Sequence, residues 1–460
     1  MSTHVELRPG AFADSVTLLQ VSRAVQGLPG VAAAQVAMAT ELNLEVLAGM
    51  GFEIPAEATP NDLVVALRLD DPESLDAALA GVAQALAEAT RRPTGATEEA
   101  PPRTTAAALR ETPDAMVLLS VAGQHVLPEA MDAVDAGRDV MIFSDNVPVA
   151  EEVALKRAAA DRGVLVMGPD CGTAVVDGVG LGFANVVTPG PVGMVAASGT
   201  GCQQLLALLD HAGVGVSSAL GVGGRDLSAE VGGLATREAL RRLDEDPAVE
   251  LIVLVSKPPA PEVATEITAY AEALTTPVEL ALLGPGQPDL TTAAERVLSR
   301  LGRDVPEWPV SGTAAPASSG GRISGLFAGG TLCKEAALIA GAEAGTFVDF
   351  GDDQYTQGRA HPMIDPTLRL EELARAAADP DVGVLLLDVV LGHGAEADPA
   401  ALLAPALESV PQPVVVTVVG TAADPQGRDR QVQALTEAGA EVHLSNAHAT
   451  RRAVALLGGQ

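Results

Sequence analysis

Apolar residues recur along this chain with a period of two in short runs and a helical period in longer ones. The order of those runs predicts a succession of α/β units. Over residues 1–92 the pattern reads strand, helix, strand, strand, helix. Val5 to Arg8 is extended, Ser15 to Gln26 is amphipathic and Ala32 to Ala39 alternates. A short helix from Asn43 to Gly49 precedes a strand from Asp62 to Leu69 and a helix from Pro72 to Arg91. A stretch rich in Pro, Thr and Glu predicts a linker over 93–110. Over 111–188, strands at Ala115 to Val121, Asp139 to Phe143 and Val164 to Met167 alternate with helices, and the turn Gly168 to Gly172 closes the unit. Over 189–303 the strands are Gly193 to Ala197, Val214 to Leu220, Val249 to Val255 and Val278 to Leu283. A run of Pro, Ala, Ser and Gly predicts a second linker over 304–321. The theme repeats over 322–460, with strands at Arg322 to Phe327, Gly345 to Asp349, Val382 to Asp388, Val414 to Val419 and Glu441 to Leu444.

Strands that alternate with helices through short turns imply parallel, doubly wound sheets. The fold class is therefore α/β: a Rossmann-like unit and two tandem flavodoxin-like domains, preceded by a small α+β module similar to ferredoxin-like or ACT-type modules. The length of 460 residues fits three or four domains of this kind. A formal net charge of -32 argues against nucleic acid or a membrane surface as partner, because the mean field repels phosphate polymers and anionic lipid. No apolar run approaches the roughly 18 residues of a membrane span, and no leader-like start is expected. Three cysteines without ligand-like spacing, Cys171, Cys202 and Cys333, fit a reducing cytoplasm and predict no metal site. Aromatic residues make up 2% of the chain, too few for base-stacking platforms. The only lysines are Lys156, Lys257 and Lys334. Coding bias accounts for the excess of arginine, yet two of these lysines lie beside the motifs that follow.

Two strands end in Gly-rich turns that open helices: Ser198-Gly199-Thr200-Gly201 and Gly329-Gly330-Thr331. The first N–H groups of a helix have no intrahelical acceptor, and the macrodipole adds about half a positive charge there. Glycine lets an oxyanion approach the backbone, and Ser or Thr adds a hydroxyl donor. Ordinary N-caps and tight turns would explain either turn alone. Two in equivalent places favour a phosphate site. Further polar groups follow neighbouring strands, where open α/β sheets bind ligands. They include Gly224, Arg225 and Asp226, Lys257, the run Asp349 to Asp353, the loop Arg359 to Asp365 and His393.

The stretches Asp14 to Leu18, Met38 to Asn43, Phe143 to Pro148, Met167 to Thr173, Gly223 to Ser228, Ser256 to Glu262 and Arg359 to Pro366 together resemble the FdrA family of acyl-CoA-synthetase-like proteins. The resemblance covers nearly the whole chain. More distantly, Ala115 to Leu283 is similar to the α subunit of succinyl-CoA synthetase, and Arg322 to Leu457 to the C-terminal domain of its β subunit. By that resemblance both flavodoxin-like domains are of the succinyl-CoA synthetase type, and the two turns correspond to paired helices facing a phosphohistidine. The chain departs from that enzyme where it matters. Leu282 to Arg303 contains no His. The ATP-grasp domain and the glycine-rich turn that binds CoA phosphates are also missing.

The resemblance implies carbamoyl transfer between carbamoyl phosphate and oxamate or oxalurate, as in oxamate carbamoyltransferase of allantoin breakdown. The phosphate would rest on Ser198, Gly199, Thr200, Gly201, Gly329, Gly330 and Thr331. Lys257, Lys334 or Arg359 would neutralise developing charge, and His361 would serve as general acid-base. Asn146, Asp170, Cys171, Gly224, Arg225 and Asp226 are expected to bind substrate. The expected partners are a phosphorylated small molecule and other carbamoyltransferase subunits or further copies of the chain. An ADP-forming acyl-CoA synthetase component is the alternative, with CoA or a nucleotide as cofactor. A non-catalytic scaffold with a metabolite-sensing N-terminal module is the third reading.

Overall fold

The computed structural model describes residues 2–89, 102–313, 320–356 and 358–458. Its contacts divide the chain into two compact units, one made of Met1–Ala100 with Gly351–Pro366, the other of Pro101–Phe350 with Thr367–Gln460.

In the first unit, strand β1 (Ser2–Pro9), helix α1 (Ser15–Gln26), β2 (Val31–Met38), α2 (Glu41–Gly49), β3 (Asp62–Leu69) and α3 (Leu75–Ala89) follow one another. The sheet order is β1-β3-β2, antiparallel throughout, so the last strand in sequence is the central one. That is the split arrangement expected of a ferredoxin-like module. Asp14 caps α1 by accepting from the Thr17 N–H, and Thr40 caps α2 by accepting from the Asn43 N–H. β3 is buried on both faces between the two clusters built on Leu67 and on Val64.

The second unit opens with α4 (Thr105–Glu111), where the sequence predicts linker; the rest of that linker up to residue 101 lies outside the described residues. Thr104 caps this helix, and the N–H of Thr105 donates to Glu129 at 2.7 Å, which ties it to the helix that follows β4. Next come β4 (Val117–Leu119), α5 (Val126–Asp135), β5 (Val140–Ile142), α6 (Val149–Ala160) and β6 (Val166–Met167). β4, β5 and β6 form a small parallel sheet in that order.

A hairpin, β7 (Thr173–Val176) and β8 (Val179–Gly182), then joins the following sheet. Its elements are β9 (Val192–Ala197), α7 (Gly199–His211), β10 (Val216–Gly221), α8 (Leu234–Glu245), β11 (Leu251–Ser256), α9 (Pro261–Glu272), β12 (Val278–Leu282) and α10 (Leu290–Arg300). The strand order is β12-β11-β9-β10-β7-β8. The four long strands run parallel in flavodoxin order, with the order reversing beside β9.

The second expected linker is structured where described. Trp308 is buried, its indole N–H donates to Glu295 at 2.9 Å, and β13 (Val310–Ser311) pairs antiparallel with β18 (Glu441–His443). Residues 314–319 lie outside the described part. The last sheet contains β14 (Arg322–Phe327), α11 (Gly330–Ala340) and β15 (Gly345–Asp349). The chain then enters the first unit, where α12 (Asp353–Thr356) lies, and returns as α13 (Thr367–Ala378). β16 (Val382–Val390), α14 (Pro399–Leu407), β17 (Val414–Val419), α15 (Arg428–Glu437) and α16 (Asn446–Leu456) complete it around β18. Its order, β13-β18-β17-β16-β14-β15, is again of flavodoxin type, reversing beside β14. All nine residues of β16 are buried, as a central parallel strand covered on both faces requires.

Candidate functional site

Both Gly-rich turns stand at the C-terminal ends of the first strands of their sheets, β9 and β14, where the strand order reverses. On the first, Ser198 caps α7 by accepting from the Gly201 N–H at 3.0 Å. Gly201 is required: a Cβ there would collide with Ser198 Oγ and stand 3.0 Å from Thr331 Cγ2. Gly199 is half-buried. The nearest atom to a Cβ placed on it would be Thr173 Oγ1, at 3.6 Å.

The second turn is built differently. Its cap position, Gly329, has no side chain to offer, and a carboxylate from the end of β16 instead holds the two N–H groups that lead into the helix. Asp388 accepts from the N–H groups of Ala328 at 2.8 Å and Gly329 at 2.7 Å. Arg369, on α13, donates to Asp388 Oδ1 at 2.7 Å and to its carbonyl at 2.8 Å. Both side chains are buried. Burial pushes the Asp388 carboxyl up, while Arg369 and the two N–H groups draw it back. A Cβ on Gly330 would collide with Asp349 Oδ2 and stand 3.0 Å from Lys257 Nζ. The second helix start is thus answered by two carboxylates of the chain itself.

The two turns touch. Ser198 Oγ and Thr331 Oγ1 are hydrogen-bonded at 2.6 Å, and the Thr331 N–H donates to Thr200 Oγ1 at 3.4 Å. Buried polar contacts hold the helices in this position. Gln204 on α7 donates to Leu444 O and accepts from the Asn446 N–H, each at 3.0 Å. Glu335 on α11 accepts from the Leu290 N–H and from Asn446 Nδ2, each at 2.7 Å.

Lys257, half-buried at the end of β11, is the expected cation that the fold delivers to the turns; Lys334 projects from α11 into solvent. Directly after Lys257, Pro258 and Pro259 border a groove of about 640 Å3, closed on its far side by Leu282, Gly284 and Gln287. Cys171, Cys202 and Cys333 are buried, and burial pushes each thiol up to about 12. None of them is a thiolate near neutral pH.

Other expected site residues serve the fold. Asp226 is fully buried, accepting from the Thr236 N–H at 2.9 Å, from Thr236 Oγ1 at 2.6 Å and from Lys156 Nζ at 2.7 Å. Lys156 also donates to Glu152 and to Val222 O, each at 2.8 Å. Arg225 completes this ionic clasp through Glu152 at 3.0 Å and Val147 O at 2.9 Å, joining α6 to the segment before α8. The Cys171 thiol points at Thr173 O. Asn146, Asp170 and Gly224 are exposed, the first two with φ of 53° and 56°.

Arg359 and His361 belong to the first unit, not to the unit that carries the turns. Arg359 meets Asp365 at 3.2 Å and Asn43 Oδ1 at 3.4 Å, and Asn43 Nδ2 donates to Gly358 O at 3.0 Å. The stretches Met38 to Asn43 and Arg359 to Asp365 are therefore complementary halves of one clasp. His361 Nδ1 accepts from the Met363 N–H at 3.2 Å. Sequence reasoning missed Asp388, Arg369, Asp349 and Thr173 as site residues. Of these, only Asp349 and Thr173 lay within a stretch already singled out.

Comparison with known proteins places this geometry among relatives. Residues 1–102 match the family described as AllF, heavy metal-associated domain, and residues 326–456 match the CoA-ligase family. Across 95% of both chains the protein is 35% identical to YahF of Escherichia coli, a protein described as uncharacterized. It is 25% identical to subunit alpha 1 of the ADP-forming succinate–CoA ligase of Archaeoglobus fulgidus, over 52% of this chain and 73% of that subunit. It is 26% identical to the alpha subunit of malate–CoA ligase from Methylorubrum extorquens, over 32% of this chain and 51% of that one. Heavy metals of soft character are held by thiolates, and residues 1–102 contain no Cys. Among the described residues no cluster of three His, Cys, Asp or Glu could hold a metal, so the residues present do not fit one. No helix among the described residues is long and apolar enough to cross a membrane.

Proposed function

The chain belongs to the FdrA family of acyl-CoA-synthetase-like proteins, and from its CoA-ligase-like enzyme fold we propose that it catalyses carbamoyl transfer between carbamoyl phosphate and oxamate. The α7 turn carries this reading. Its helix start presents Gly199 and Thr200, ahead of the Gly201 N–H that Ser198 takes. In the transfer, the oxamate amide nitrogen attacks the carbamoyl carbon. The new C–N bond forms as the C–O bond to phosphorus breaks, and phosphate leaves with the electron pair. The proton lost by nitrogen passes to the departing phosphate, which leaves as a strongly basic trianion and becomes hydrogen phosphate. The α7 dipole stabilises the charge that develops on the bridging oxygen. The reaction needs orientation but no covalent enzyme intermediate, which suits a site whose neighbouring thiols stay protonated. The working form is an assembly, of copies of this chain or with other transferase subunits.

The test is phosphorolysis of oxalurate by the purified chain, alone and with co-expressed neighbours, with carbamoyl phosphate as the measured product. Turnover of succinate, CoA and ATP with none of oxalurate would overturn the reading. The match to the CoA-ligase family favours a second reading, an ADP-forming acyl-CoA synthetase component. An acid-labile phosphoprotein formed from ATP or an acyl phosphate would support it. No step is routed through CoA. The turn after β4 has a single glycine, Gly123, packed so closely that a Cβ would meet the Asp145 and Asn146 carbonyls.

A further inference from the structure

Thr173 lies at the start of β7, 2% exposed, and its hydroxyl is without a hydrogen-bond partner among the described residues. A buried hydroxyl left unpaired is costly, because desolvation is not compensated by a bond. A structural threonine in this place would be expected to reach a carbonyl, as Thr421 does with Val186 O at 2.7 Å. Thr173 instead directs Oγ1 toward Gly199, the first residue of α7. It is the single atom within 4 Å of the place a Cβ on Gly199 would take, leaving aside the chain neighbours of Gly199 and the backbone of its own helix. An oxygen seated in that place lies close to Oγ1, at the start of α7.

We propose that Thr173 is a ligand-contacting residue of the α7 turn, its hydroxyl donating to an oxygen of a bound phosphate or of the phosphoryl end of an acyl phosphate. This rests on the reading that the α7 turn binds such an anion. The anion sits on the Gly199 side and not over Gly330, where the Asp349 carboxylate would repel it. The assignment also explains the run Met167 to Thr173. Its turn brings Cys171 and Thr173 against Gly221, at the end of β10, and Thr173 Oγ1 to Gly199. Thr173 thus adds a hydroxyl to a turn whose own cap, Ser198, is already engaged by Gly201 and Thr331.

The experiment measures binding of radiolabelled inorganic phosphate by equilibrium dialysis, together with thermal unfolding with and without phosphate. Wild type is compared with Thr173→Val, Thr173→Ser and Ser198→Ala. The Val variant should bind phosphate about tenfold more weakly and lose the phosphate-induced rise in Tm. Without phosphate its Tm should equal or exceed that of wild type, since no internal bond is broken. The Ser variant, which keeps the hydroxyl, should bind like wild type. A Val variant that binds normally while Ser198→Ala does not would remove Thr173 from the site and leave the α7 turn standing. A Val variant that unfolds at a lower temperature without phosphate would make Thr173 structural and overturn the proposal. Failure of wild type to bind phosphate would sink the α7 reading and this one with it.

Discussion

The turns that open α7 and α11 look interchangeable in the sequence and are opposites in charge. Each follows a buried parallel strand, each is glycine-rich and each carries a Thr in the first helical turn. The α7 turn is capped by its own Ser198 and leaves room for a Cβ at Gly199. The α11 turn lacks a capping side chain, has Asp388 on the N–H groups of Ala328 and Gly329 just before the helix and has Asp349 over Gly330. A symmetrical grip on one anion by two helix dipoles, the arrangement that the paired motifs imply, therefore gives way to an asymmetric one. A helix start attracts an anion only where the chain has not already supplied one.

The strongest way to break the comparison is to take the resident carboxylate from the α11 turn. Replacing Asp388→Ala leaves the buried Arg369 without its partner and the Ala328 and Gly329 N–H groups without an acceptor. Removing one member of a buried ion pair costs about 3–5 kcal/mol. Denaturant unfolding should show a loss of that order, and double replacement with Arg369→Met should recover a large part of it. If Asp388→Ala instead left stability unchanged and opened a second phosphate site, the α11 turn would be the equal of the α7 turn.

A paired glycine test sharpens the contrast. Gly330→Ala must displace Asp349, and overpacking of this kind costs about 1–3 kcal/mol. Gly199→Ala meets nothing nearer than 3.6 Å, so the protein should stay within about 0.5 kcal/mol of wild type. Its new methyl group nevertheless stands in the space claimed for the anion, and phosphate affinity should fall about tenfold. Equal stability losses for both variants, by calorimetry, would show that the space over Gly199 is not open.

The parts of the fold legible in the sequence were those set by local periodicity. The Val- and Leu-rich run from Val382 announced β16, and the strand-to-helix turns at Ser198 and Gly329 were visible from glycine and Ser or Thr alone. The β7–β8 hairpin was missed although Asp177-Gly178 is a two-residue turn signal, with φ of 50° and 79°. Trp308 and β13 were hidden by the Pro, Ala and Ser around them. The site's charge balance was illegible for another reason. Arg369 meets Asp388, and Arg359 meets Asn43, through contacts that no periodicity encodes. Position in the chain assigned Arg359 and His361 to the last unit. The polar surface of Asn43 draws their segment into the first.

A last test concerns a third carboxylate on the α11 side. Glu335, fully buried, accepts from the Leu290 N–H at the start of α10 and from Asn446, and burial pushes it up to about 7. Its ordinary value is 4.5, so between these two values the folded protein holds a proton that the unfolded chain has released. The stabilisation is complete below the lower value and is lost as pH rises through the upper one, with a slope of at most about 1.4 kcal/mol per pH unit. Glu335→Gln keeps an oxygen for the Leu290 N–H and removes the titration. Unfolding free energies measured between pH 5 and 7 should decline less steeply for the variant than for wild type. Parallel profiles would mean that Glu335 ionises normally, and that the α11 side carries a third negative charge at neutral pH.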